Sequence, residues 1–212
     1  MKEKNLDKLI ARQKIDNCSV PSFQMYRRPK LQKKSTIINE DYFECIWTYM
    51  PERFKMKDPL LIYNTEKDGT SWTTFKSRIY GNIPLFILVE SFTKGLCDND
   101  NVEVHGVFGA MLIQPINEKT HVSNDKESFL FVLSPHQKKF ECVDNKKTSD
   151  IAAVMENDFF GVGTGGEVGY GLVIESSLTE GSSHKCDTYQ NEPLNGKEKK
   201  FGIKCIEIFK LI

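Results

Sequence analysis

Gly161-Val162-Gly163-Thr164-Gly165-Gly166-Glu167-Val168-Gly169-Tyr170-Gly171 runs directly into Leu172-Val173-Ile174-Glu175. Gly161, Gly163 and Gly166 satisfy the spacing G-x-G-x-x-G. A dinucleotide fingerprint needs a helix directly after the glycines, because the helix N-terminus is what holds the pyrophosphate. Here the residues that follow are a short β-branched run bounded by turn residues, which reads as a strand. A Walker motif also fails, since Gly166 is followed by Glu167 and not by lysine. The glycines are therefore read as backbone positions that permit positive φ or a close approach of another strand or ring.

Outward from this run, apolar segments of strand length recur. They are Leu60–Tyr63, Leu85–Val89, Val107–Ile113, Ser128–Leu133, Lys139–Val143 and Ile203–Phe209. The last alternates at period two, with Ile203, Cys205, Glu207 and Phe209 on one face and Lys204, Ile206 and Ile208 on the other. Helical signals are confined to the first part of the chain. Asn39 is a good N-cap ahead of Glu40 and Asp41, with Phe43, Ile46, Trp47 and Met50 on one face and Pro51 as the stop. Ser71 caps a second helix from Trp72 to Ile79, after turn chemistry at Lys67–Thr70. Seven or eight strands, joined by connections too short for a row of parallel crossovers, predict an α+β, mainly β domain. The expected architecture is an antiparallel two-sheet β-sandwich with a few flanking helices.

The chain has 212 residues, 39% hydrophobic and 27% charged, a globular composition with enough length for one complete core. Formal net charge is zero, so nothing global points to nucleic acid or to anionic lipid. The charge is uneven: residues 1–40 hold ten Lys/Arg against four Asp/Glu, which leaves the remainder acidic. Leu6, Leu9 and Ile10 suit one or two helical turns, and residues 16–36 carry a basic run from Tyr26 to Lys34 without periodicity. We divide the chain into a basic N-terminal arm or linker, 1–37, and a folded domain, 38–212. No apolar stretch is long enough for a transmembrane helix, and the charged first residues do not form a secretory leader. The six cysteines are widely spaced, with no C-x-x-C pair, and are read as reduced thiols in a cytoplasmic protein. No clustered Cys/His set predicts a metal, and no cofactor is expected.

Glu180 to Tyr189 places Ser182, Ser183, His184, Cys186 and Asp187 close in sequence. Neighbours in sequence rarely face one another as a catalytic set does. Cys186, beside His184 and Lys185, is a candidate for a lowered pKa and redox sensitivity. The competing reading is a Gly-Ser-Ser turn followed by a buried cysteine.

At this point the chain resembles a TLDc domain, the module of the oxidation-resistance protein family, over about residues 38–212. Four stretches carry the resemblance: Leu60 to Ser71, Val107–Ala110, Glu127–Phe131, and the glycine run through Glu175 to Gly181–Asn191. It implies a two-sheet sandwich with helices at its edges and a role in oxidative-stress resistance. It also implies binding to the peripheral, ATP-hydrolysing sector of the vacuolar proton pump, hence a cytoplasmic location peripheral to acidic organelles. No catalytic mechanism comes with the family. Cys186 matches a family cysteine suspected of redox reactivity, with Ser183 and Glu175 nearby in the motif. The family-motif residues Gly163, Gly165, Gly166, Gly169, Gly171, Glu175, Ser182, Ser183 and Cys186 are the candidate binding residues. The chain departs from the family at Asn64, where Ser is usual, at Lys185 for Pro, at Gln190 for Gly, and in a longer loop at 93–104. Two other readings remain open. One is a structural part of another large assembly, docked through the basic arm. The other is a redox protein working through Cys186.

Overall fold

The computed structural model describes residues 29–31, 33–94, 103–116, 122–123, 126–143, 151–164, 169–196 and 198–212. The expected helical turns at Leu6–Ile10, Tyr26, Arg27 and Arg28 of the basic run, most of the long loop at 93–104, and Gly165 and Gly166 lie outside these.

Asn39 caps helix α1 (Glu40–Tyr49) by accepting the Tyr42 N–H at 2.8 Å, as its position ahead of two acids predicted. Its buried face is turned relative to the expected one: Cys45, Ile46 and Met50 are inside, while Phe43 stacks on Trp47 at 5.1 Å. A 3-10 turn (Glu52–Phe54) follows Pro51. Strand β1 (Pro59–Asn64) leads into a one-turn helix, α2 (Thr65–Asp68), ended by Gly69 at φ 77°. Residues expected as a bare turn are therefore partly helical, because Asn64 Oδ1 accepts the N–H groups of Glu66 and Lys67 and caps them. Helix α3 (Trp72–Ile79) is capped by Ser71, as expected.

The strands are β2 (Leu85–Lys94), β3 (Glu103–Leu112), β4 (Val122–Ser123), β5 (Phe129–Ser134), β6 (Lys138–Glu141), β7 (Ile151–Met155), β8 (Phe159–Val162), β9 (Leu172–Glu175), β10 (Glu180–Ser182) and β11 (Lys200–Leu211). All pairings are antiparallel. The domain is mainly β, antiparallel and flanked by helices, as predicted. The eleven strands hydrogen-bond into one sheet, ordered β4-β7-β8-β9-β10-β11-β2-β3-β5-β6, with β1 also on β11. One apolar core joins Ile87, Val89 and Phe108 of the β2–β3 half to Ala152, Phe160, Val162 and Leu172 of the β7–β9 half. The sheet therefore folds over itself, and its two halves share that core. A second core, on the opposite face of β2, β3 and β11, is covered by α1 through Cys45, Ile46 and Met50.

Strand β11 makes this possible. Its first residues pair with β10, its middle and end pair with β2 on the other edge, and residues from Glu207 onward also pair with β1. The expected clean alternation is broken by a register shift between Ile203 and Cys205. One extra residue there moves every later side chain to the other face. Ile203 joins Ile206 and Ile208 in the inner core, while Cys205, Phe209 and Leu211 face the helices.

Phe86 and Phe209 stack across β2 and β11 at 4.7 Å between centroids and are both fully buried under α1. Phe86→Ala is expected to lower unfolding free energy by about 3–5 kcal/mol, measured by urea denaturation. A loss below about 1 kcal/mol would mean that the helix-side core is not packed as described.

Candidate functional site

The glycine run connects two antiparallel strands. Val162 pairs with Leu172, so β8 precedes the run and β9 follows it. This bears out the reading of Leu172–Glu175 as a strand. The segment 183–196 then lies across the start of β9 and the end of β8, and a set of hydrogen bonds holds it there.

Ser183 is buried and satisfied on both sides. Its hydroxyl donates to the Gly171 carbonyl at 2.6 Å and accepts the Leu194 N–H at 2.8 Å. Ser182 is half-buried within β10, opposite Val173 and Lys200. Cys186 is 1% exposed, and its thiol donates to Asn191 Oδ1 at 3.0 Å. The Asn191 amide group donates in turn to the carbonyls of His184 at 2.8 Å and Glu192 at 2.9 Å. Thr188 bonds to both sides of Thr164: its Oγ1 accepts the Thr164 N–H at 2.9 Å, and its own N–H donates to the Thr164 carbonyl at 3.1 Å. Tyr189 OH reaches the Ala152 carbonyl at 3.4 Å.

Two glycines fit this clamp for steric reasons. A Cβ on Gly163, which stands at φ 73°, would lie 2.7 Å from Cys186 Sγ and 2.8 Å from the Tyr189 ring. A Cβ on Gly171 would lie 2.6 Å from Leu130 and 3.0 Å from Asn191 Oδ1. Gly169, at φ 110°, runs alongside the His184 imidazole. The structure thus brings Gly163, Gly171, Ser183 and Cys186 together. Glu175 stands apart from them. It is exposed at the far end of β9, four residues from Gly171, a separation of about 13 Å along a strand. There it lines an open groove of about 530 Å³ with Phe92, Thr179, Glu180, Lys200 and Phe201.

Burial pushes the Cys186 thiol up from 9.0 to about 11, against backbone hydrogen bonds from Tyr189, Thr188 and Gly171 that act the other way. Lys185, the neighbouring cation in sequence, is exposed. At pH 7 only about one thiol in ten thousand is then thiolate, the nucleophilic form. Among the described residues, no group of three or more His, Cys, Asp or Glu side chains could hold a metal ion.

Sequence reasoning passed over two residues that the structure brings forward. Asn191 is wholly buried at the centre of the clamp, and the signal for it was its place at the end of the matched motif. Glu207 is 0% exposed, and the signal for it was a lone carboxylate inside an apolar run. Its carboxylate accepts from Ser35 Oγ, from the Thr36 N–H at 2.8 Å, and from Asn64 Nδ2 at 2.9 Å.

A folded antiparallel sheet, with α1 on the helix-side core and α3 packed through Phe75 and Ile79 into the inner one, and a glycine-fitted loop clamp define a β-rich module whose polar motif residues bond within the fold. The chain belongs to the TLDc domain family, whose model matches residues 31–212. It is 27% identical over 188 residues to the GTPase-activating protein skywalker of Drosophila melanogaster, which covers 82% of this chain and 30% of that protein. It is 29% identical over 184 residues to human oxidation resistance protein 1, covering 86% of this chain and 19% of that protein. Human nuclear receptor coactivator 7 is 26% identical over 183 residues, covering 85% of this chain and 18% of that protein. The chain thus spans under a third of the length of these relatives. Among the described residues, no helix is long and apolar enough to cross a membrane.

Two expectations follow from the clamp. Alkylation of Cys186 in the native chain at pH 7 should be far slower than that of an exposed thiol and should become rapid only on unfolding, as read by mass spectrometry. Because the folded-state value is raised, the folded state holds its proton to higher pH than the unfolded state. The stabilising contribution is present below about pH 9 and is lost as pH rises towards 11. The alkaline limb of a stability–pH curve should therefore be shallower in Cys186→Ala.

Gln190, where the family resemblance implies glycine, sits at φ 46°. A non-glycine residue in that region costs about 1–3 kcal/mol, partly offset by the extra freedom that glycine has in the unfolded chain. Gln190→Gly should raise stability by about 1 kcal/mol; a lower melting temperature in calorimetry would contradict the strain.

Proposed function

We propose that this chain is a non-enzymatic interaction module that binds the peripheral, ATP-hydrolysing sector of the vacuolar proton-pumping ATPase and contributes to oxidative-stress resistance. Its place of work is then the cytoplasm, at the surface of acidic organelles, reached through that partner. The observation that carries the reading is the clamp. Ser183, Cys186 and Asn191, the residues of the family motif with reactive or polar groups, bond to one another's surroundings and not to an open cavity. What such a construction gives the protein is a fixed outer surface.

The oxidative-stress part of the reading is supported by the likeness to oxidation resistance protein 1, and the pump by the family resemblance. The relative named as a GTPase-activating protein shares 30% of its length with this chain, so its named activity is not carried over. The redox reading of Cys186 is disfavoured by its burial and by the raised thiol pKa.

The immobilised chain should retain peripheral-sector subunits of the pump from a cell lysate and from a purified preparation of that sector. Removing residues 1–28 spares Ser35 and Thr36 and should leave retention unchanged. No retention from the purified sector would overturn the proposal. Loss of retention on removing the arm, with the domain still folded, would favour the reading of an arm-docked part of another assembly.

A further inference from the structure

Lys33-Lys34-Ser35-Thr36-Ile37-Ile38, assigned by composition to the arm and its junction, is bound to the domain. Ser35 Oγ donates to Glu207 Oε2 and accepts the N–H groups of Ile37 at 3.1 Å and Ile38 at 2.7 Å. The Thr36 N–H donates to Glu207 Oε1 at 2.8 Å, and Thr36 Oγ1 reaches the same oxygen at 3.2 Å. Asn64 Nδ2 donates to Thr36 Oγ1 at 3.2 Å. Thr36 Oγ1 also lies 3.7 Å from the buried Cys205 sulfur. Ile37 anchors the segment in the helix-side core.

Three features of this latch stand together. Glu207 is wholly buried, and every partner of its carboxylate is a neutral donor. Thr36, whose hydroxyl touches that carboxylate, is exposed. Exposed Lys33 and Lys34 stand three and two positions before it, inside the basic run Arg27-Arg28-Pro29-Lys30 to Lys34. A hydroxyl behind such lysines suits a protein kinase whose peptide groove is lined with carboxylates.

We propose that Thr36 is a phosphorylation site and that its modification releases segment 33–38 from Glu207. The kinase would transfer the γ-phosphoryl group of ATP to Thr36 Oγ1. The bond from the γ-phosphorus to the bridging oxygen breaks, ADP leaves, and the hydroxyl proton passes to the kinase's catalytic base. The product carries a charge of about −1.5 to −2 at neutral pH. In the docked segment that charge would replace a hydrogen bond to a buried carboxylate with contact between like charges. Kinase access comes through the fraction of molecules in which the segment is transiently free, and phosphorylation then holds it there. Lys67, whose ammonium group binds the Lys34 carbonyl at 3.4 Å, is the nearby cation on the domain that opposes release. Release frees the Ile37 anchor and takes the Thr36 hydroxyl away from the Cys205 sulfur, while Lys30 on Asp58 and Leu31 on the helix-side core tether the chain that precedes it. The inference holds whichever partner the module binds.

The test uses the full chain. Incubation with ATP and a kinase selective for upstream basic residues should place phosphate on Thr36, located by mass spectrometry and lost in Thr36→Ala. Amide hydrogen exchange then reads the latch. Protection of residues 36–38 should fall by about tenfold or more in Thr36→Glu relative to Thr36→Val, which removes the hydroxyl without adding charge. Adding Glu207→Gln to Thr36→Glu should restore most of that protection. Absence of phosphate at Thr36, equal protection in the Glu and Val variants, or no restoration by Glu207→Gln would each overturn the proposal.

Discussion

The fold depends on β11 being hydrogen-bonded along both edges while both of its faces are buried. A strand with two covered faces ordinarily carries an unbroken apolar run, and its side chains alternate between the two cores at period two. Here the two cores are of different length. The inner one extends back to Phe201, and the helix-side one begins only at Cys205. The register shift after Ile203 reconciles them. It lets Phe201 and Ile203 face inward together with Ile206 and Ile208, and puts Cys205, Phe209 and Leu211 under the helices. A separate shift between Leu61 and Tyr63 in β1 puts Leu61 with Phe209 on the helix side and Tyr63 with Ile208 in the inner core. One strand thus closes both layers, and the sheet needs no second, separate partner.

The same phase places Glu207 on the helix side, where a carboxylate meets an apolar layer. An ionised group there is tolerated only if hydrogen bonds replace its water. Ser35, Thr36 and Asn64 supply them, and each comes from a different distance along the chain. Asn64 does two things at once: its oxygen caps α2 while its amide nitrogen reaches Glu207. The carboxylate therefore couples the N-terminal segment, the end of β1 and the last strand. Removing any one donor would leave the others to hold a buried charge, which is the costlier half of such an arrangement.

Much of this was legible in the sequence, and the exceptions share a cause. The two capped helices, β1, β2, β3, β5, β6 and β9 were visible because caps and apolar runs are local signals. Strands β7 and β8 were not, since Ile151–Met155 is rich in alanine and a three-residue polar stretch, Glu156–Asp158, interrupts the apolar pattern. The register shift in β11 was invisible because nothing in Ile203-Lys204-Cys205 violates alternation until the partner strand is known. At the clamp, the glycines, Ser183 and Cys186 were marked by composition and by family resemblance. Sequence proximity suggested that Glu175 belonged with them, but a straight strand carries it to the opposite end. The partner of the Cys186 thiol, Asn191, depended on how the loop folds back, which no local pattern encodes.

The hairpin β9–β10 therefore has two chemically different ends. At one, hydroxyl, thiol and amide groups are bonded to each other and to backbone, and the space between them is so small that Gly163 and Gly171 cannot carry a side chain. At the other, Glu175 and Glu180 stand exposed beside Lys200, over a groove floored by Gly181 and Gly202 with the rings of Phe92 and Phe201 against them. Groups already satisfied inside a folded chain give little to a partner, because any new bond must first break an old one. Charges left facing solvent carry no such cost. The end of the hairpin that carries Ser183 and Cys186 is thus bonded within the fold, while the Glu175 end keeps its charged side chains in solvent.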